Sequence, residues 1–131
     1  MNEQQRKALI QAAIEARANA YAPYSEFLVG AAILTADGKI FGGCNVENAS
    51  YGLTIGAERV AAGSAVAAGS QAFLAVAVAT PGGHSPCGAC RQFLAEFGGS
   101  MTVLLVDSDD PAKVRETSLD RLLPEQFEIP E

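Results

Sequence analysis

Three side chains in this sequence have the types and spacing that chemistry requires: Cys87, Cys90 and Glu58. The run Pro86-Cys87-Gly88-Ala89-Cys90 is a P-C-x-x-C placed where a helix is expected to begin. Thiols at i and i+3 lie on one helical face and can reach a single ion, and a helix N-terminus favours the thiolate form that binds metal. A redox pair, or two buried cysteines, fits the same spacing, and these readings stay open. A lone glutamate such as Glu58 near a helix start is ordinarily only a favourable partner for the helix dipole. Cys44, in "GGCNVE", reads by itself as a packed core residue.

The elements that must position these residues follow from pattern. Residues 3–20 form a helix, with Leu9, Ile10, Ala13, Ile14 and Arg17 at helical spacing and "YAPYSEF" as its stop, since Pro23 biases Ala22 away from helical backbone. "FLVGAAILTA" and "KIFGGCNVE" are strands joined at Asp37-Gly38, a hairpin signal. Residues 56–69 are Ala-rich and helical, ending near Gly69. "FLAVAVAT" is a buried strand, "CGACRQFLAEFG" a helix stopped by Gly98, and "MTVLLVD" a further buried strand. "KVRET" supplies a short fifth strand, and "SDDP" before it is too short for a parallel crossover, so it runs antiparallel to its predecessor. Ser118 caps a final helical turn in "SLDRLLPEQF". After the first helix the order ββαβαββ implies a mixed sheet covered by helices.

Composition bounds the function. A chain of 131 residues, 49% hydrophobic and 18% charged, has the make-up of one compact domain spanning 1–131. The N-terminal "MNEQQRKALIQ" has no apolar segment of the signal-peptide kind and no run is long enough to span a bilayer, so the expected location is cytoplasmic. Cytosolic thiols are kept reduced, and three cysteines there argue for metal or catalytic chemistry over disulfides. A net charge of −6 disfavours nucleic acid and other polyanions as partners. Any nucleic-acid component used as substrate is then a free small molecule.

Glu58 and the cysteines together match a known pattern. The zinc deaminases carry H-x-E…P-C-x-x-C, with Cys permitted for the His; here Gly56-Ala57-Glu58 precedes the P-C-x-x-C. With "YAPYSEFLVGAA", "GCNVENASYG", "AERVAA", "SPCGACRQFLAEF" and "LLPEQF", the chain closely resembles, nearly end to end, the small homotetrameric cytidine deaminases of nucleoside salvage. That resemblance implies an α/β fold, a three-layer α-β-α sandwich with a mixed five-stranded sheet. It implies hydrolytic deamination of cytidine or deoxycytidine with release of ammonia, using a metal-activated water. Glu58 matches the proton shuttle, and Cys87 and Cys90 match two zinc ligands. Asn45 and Glu47 match contacts to the ribose 3′-hydroxyl, Phe27 the aromatic packed on the pyrimidine, and Ala57 a backbone amide offered to the base. Ala49, Tyr51 and Phe127 match positions that reach a neighbouring subunit's site, and Arg59 an arginine beside the thiolates. Each also has an ordinary reading: Phe27 and Phe127 as packing residues, Asn45 and Asn48 as turn residues, Arg59 as a surface charge, and His84 as an exposed loop histidine.

The departure from the family is Gly56, where these enzymes carry Cys and their larger relatives His. Two thiolates remain where a catalytic zinc site uses three protein ligands and water. Four consequences are open: an impaired site that keeps fold and nucleoside pocket, zinc held more weakly by Cys87 and Cys90 with extra waters, a substitute ligand from Glu58, His84 or Cys44, or room for a modified 4-substituted pyrimidine. Impaired or altered zinc binding ranks first. A nucleoside-binding homologue with little or no turnover is the alternative to an active enzyme.

Overall fold

The computed structural model describes residues 1–130; Glu131, the last residue of the expected 1–131 domain, lies outside the described residues. The sheet is mixed and five-stranded: β1 (Gly30–Thr35), β2 (Ile40–Cys44), β3 (Phe73–Thr80), β4 (Thr102–Asp107) and β5 (Val114–Ser118), ordered β2-β1-β3-β4-β5. Only β3 and β4 pair in parallel; β1 is antiparallel to both neighbours, and β5 to β4. Strands β1, β3 and β4 are apolar on both faces because both faces are covered.

Helix α1 (Glu3–Arg17) lies on one face, where Leu9 and Ala13 pack on Ala32, Leu34, Ala75, Ala77, Leu104 and Val106. Helices α2 (Ala57–Ala67) and α3 (Gly88–Gly98) cover the other, over Ala31, Ile33, Val76, Val78, Val103 and Leu105. The short α4 (Leu119–Leu122) adds Leu119 to that second core. These are the three layers expected from the sequence. No helix among the described residues is long and apolar enough to cross a membrane.

The differences from the sequence reading have local causes. α1 stops at Arg17, not near residue 20, because Tyr21 is pulled into a strand-like bridge with Val46: its amide donates to the Asn45 carbonyl at 2.9 Å and its carbonyl accepts from Glu47 N–H at 2.9 Å. The Asp37-Gly38 hairpin forms, with Gly38 at φ 85° and its N–H donating to the Thr35 carbonyl at 3.0 Å, while Asp37 keeps a negative φ. That is a turn closed by a single left-handed glycine. Ser118 does occupy the N-cap of α4, yet its side chain caps nothing.

The contact that sets the site is between α2 and β2. A Cβ at Gly43 would lie 2.7 Å from the Ala57 carbonyl oxygen and closer still to the Ala61 amide nitrogen, so α2 rests directly on the β2 backbone. At Gly42 a Cβ would meet nothing nearer than the Ala16 Cβ at 3.5 Å. Gly43→Ala is therefore expected to lower stability by about 1–3 kcal/mol through overpacking, with Gly42→Ala close to neutral, as denaturant midpoints of the two variants would report.

Candidate functional site

Two helix N-termini converge at the site, and each delivers one half of the chemistry. α2 begins at Ala57 with Gly56 as its N-cap, so Glu58 sits in its first turn. α3 begins at Gly88 with Cys87 as its N-cap, and Cys90 stands one turn further on. Glu58 is buried, 4% exposed, as is Cys90 at 1%; Cys87 is exposed. The Glu58 carboxyl, Cys87 and Arg59 all lie near enough to the Cys90 thiol to act on its charge. The structure thus brings Glu58, Cys87 and Cys90 together, as the sequence led one to expect.

Burial governs how these groups hold protons. Desolvation raises the Glu58 carboxyl above the usual carboxylate range, against the opposing pull of its own backbone N–H, Cys90 and Arg59. Burial, followed by the nearby Glu58 carboxylate and Cys87, pushes the Cys90 thiol up to about 12, with Arg59 acting in the opposite direction. Arg59 reaches from α2 to donate through Nη2 to the Thr54 carbonyl at 3.0 Å, while its buried Nε has no hydrogen-bond partner. A buried guanidinium N–H left open beside a sulfur is suited to a thiolate.

Gly56 faces this cluster. Its backbone, φ −68° and ψ 151°, is open to any residue, so the glycine is not there for conformational reasons. A Cβ at this position would lie 2.5 Å from Cys90 Sγ: the Cys90 sulfur fills the room a side chain at 56 would need. Among the described residues no three His, Cys, Asp or Glu side chains are grouped to hold a metal ion. Neither Glu58, near Cys90 as it is, nor His84 nor Cys44 completes one: His84 is exposed and packs on Gly82 and Phe27 (ring centroids 6.1 Å apart), and Cys44 is half-buried at the end of β2. Two soft thiols and an open arginine N–H suit a thiophilic ion in kind, but the donor set falls one short of three protein ligands and does not fit a catalytic zinc site.

The remaining expected residues fall into two groups. Asn45 is buried with its amide committed to the 27–29 loop, Nδ2 donating to the Phe27 carbonyl and Oδ1 accepting from Val29 N–H, both at 2.9 Å. Each of these atoms has capacity for one further bond. The Glu47 carboxylate accepts from Tyr24 N–H at 2.9 Å, Ser25 N–H at 3.2 Å and the Ser25 hydroxyl, and the Ser25 hydroxyl chiefly holds it below the usual carboxylate range. Glu47 and Tyr51 line a pocket of about 430 Å³ with Tyr24, Ser25 and Thr54. Phe27 is 38% exposed and Tyr51 74%. The Ala57 N–H is a leading helix amide, and such amides have no intrahelical partner. Ala49 is exposed. Phe127, 71% exposed, lies instead against α3 with Gln92, Ala95 and Glu96, in a different pocket from Glu47 and Tyr51.

Sequence reasoning missed Arg91. Its guanidinium donates to the Pro86 carbonyl (2.8 Å), the Leu122 carbonyl (2.8 Å) and Ser85 Oγ (2.9 Å), tying the loop before Cys87 to α4. Its place one turn after Cys87 was the only available signal.

With this geometry in hand, the comparisons are consistent. The profile of the "Cytidine and deoxycytidylate deaminase zinc-binding region" matches residues 3–106. The chain belongs to this deaminase family. A cytidine deaminase of Sporosarcina psychrophila is 49% identical over 122 residues, covering 91% of this chain and 88% of that one. The crystal structure of cytidine deaminase from Burkholderia pseudomallei superposes with a TM-score of 0.87 at 52% identity, covering 97% of this chain and all of the other. That of Mycobacterium tuberculosis gives 0.79 at 44% identity over 95% and 98% of the two chains.

A pH signature follows for the zinc-free protein. Burial raises Glu58, so between its ordinary and raised values the folded chain keeps a proton that the unfolded chain has released. Its contribution to stability is therefore lost as pH rises through that window. Glu58→Gln removes the titration, and the variant's thermal midpoint should gain on the native one as pH rises above the ordinary carboxylate range. A constant gap between the two melting curves would contradict the raised carboxyl.

Proposed function

We propose that the chain binds cytidine or deoxycytidine and deaminates it hydrolytically, releasing ammonia, with Glu58 carrying protons and with an activity limited by Gly56. The observation that supports this most directly is the buried Glu58 carboxyl against the Cys87–Cys90 pair, at the mouth of two helices. Raising a carboxyl above its ordinary range shifts it toward general acid–base work. In this reading the free Ala57 N–H orients the base, Phe27 packs on it, and Asn45 and Glu47 bind the sugar hydroxyl with the bonding capacity their loop contacts leave. Ala49, Tyr51 and Phe127 serve a neighbouring subunit's site in a homotetramer, which accounts for large apolar rings standing in solvent on a single chain. Arg59 offsets thiolate charge. The whole of residues 1–131 acts as one domain, in the cytoplasm.

Zinc is the cofactor of this family's domain, and Cys87 and Cys90 would hold it here with weakened affinity, since Gly56 contributes nothing. The same shortfall favours a second reading, a nucleoside-binding chain that turns over little or not at all. Relief of the block at Cys90 is small: its sulfur is the end of a flexible side chain and can rotate to admit a side chain at 56.

Gly56→Cys is expected to raise zinc affinity by roughly 100-fold or more, given that even outer-shell partners of a metal are worth about 10–100-fold, and to raise cytidine deamination with it. Metal analysis and ammonia release on the two proteins check this. Equal zinc content and equal rates would remove Gly56 as the limit. Nucleoside binding by both without ammonia from either would remove deamination itself.

A further inference from the structure

The two thiols at the start of α3 are arranged for a chemistry that needs no metal. Cys87 caps the helix and is open to solvent; Cys90, three residues on, is shielded. As N-cap residue and third residue of the helix, Cys87 and Cys90 hold the two positions whose side chains meet in a capping box, and small adjustments bring such a pair to bridging distance. A sulfur at position 56 would commit Cys90 to a metal. Gly56 provides none, and Cys90 Sγ occupies the space beside it.

We propose that Cys87 and Cys90 form a thiol–disulfide site that reacts with small organic disulfides of the glutathione class and closes to an intramolecular disulfide. The exposed Cys87 thiolate attacks one sulfur of oxidised glutathione, breaking its S–S bond and releasing one glutathione thiolate. Cys90, giving up its proton as it reacts, then attacks the Cys87 sulfur of the mixed disulfide and releases the second glutathione thiolate. The protein pair is oxidised by two electrons, glutathione disulfide is reduced to two thiols, and the protons lost by the cysteines end on those thiols. The roles are fixed by access: the outer cysteine meets the reagent and the inner one resolves it. Oxidation leaves no free thiol at either position.

The test uses the full native chain, with and without zinc, exposed to oxidised glutathione; free thiols are counted and the disulfides mapped by peptide mass. Two of the three cysteines should disappear as a Cys87–Cys90 bridge that dithiothreitol reopens, with Cys44 untouched. Cys90→Ser should accumulate glutathione on Cys87, and Cys87→Ser should leave Cys90 unmodified while the fold persists. In the zinc-loaded Gly56→Cys protein, closure should slow roughly tenfold or more, because metal-bound thiolates are tied up. Three free thiols in the folded native chain, a mixed disulfide that never resolves, or a bridge through Cys44 would each overturn the site. The native chain's own disulfide map decides the matter even if a variant fails to fold. Thiol loss and ammonia release are separate readouts, so a chain that never deaminates leaves the disulfide result fully readable.

Discussion

The close approach of α2 to β2 is the constraint on which the site depends. Without a side chain at Gly43 the helix backbone settles onto the strand, and its first turn arrives where the N-terminus of α3 also points. Glu58 is buried by this docking, not by any preference of its own, and its carboxyl is raised for the same reason. The alanines of α2 are part of the same arrangement: Ala57, Ala61, Ala62 and Ala65 are fully buried and bring no bulk to hold the layers apart. Small residues at a helix–sheet contact trade buried apolar area for proximity.

Most of the architecture could be read from the chain because local pattern and tertiary need agree. Apolar strands such as β3 and β4 lie between two helical layers, which is why they show no alternation, and Gly69 ends α2 in left-handed backbone at φ 98° as its position suggests. The disagreement at the end of α1 arises because nothing near residue 20 announces that Tyr21 pairs with Val46, a partner 25 positions along the chain by the numbering. Long-range pairing of this kind leaves no periodic trace.

The site was legible to a different depth at each residue. Glu58, Cys87 and Cys90 stand out in the sequence because their chemistry is unusual and their spacing is specific. Asn45 and Glu47 stand out through resemblance alone, and the structure shows both serving the 22–29 loop, a task that a motif cannot express. Gly56 could be seen as a missing ligand, but only packing reveals that Cys90 occupies its room. Arg91 escaped because its three acceptors, two backbone carbonyls and a serine hydroxyl, come from segments up to 31 residues away.

That arginine has a mechanical consequence. One guanidinium holds both the approach to Cys87 and the end of α4, so neither segment can open without giving up bonds that also restrain the other. Local unfolding in proteins proceeds in cooperative units, and here the unit joins the cysteine loop to the last helical turn across the sequence between them. An opening of α4 that gave up the Leu122 bond would therefore also loosen the hold on the loop that leads into Cys87.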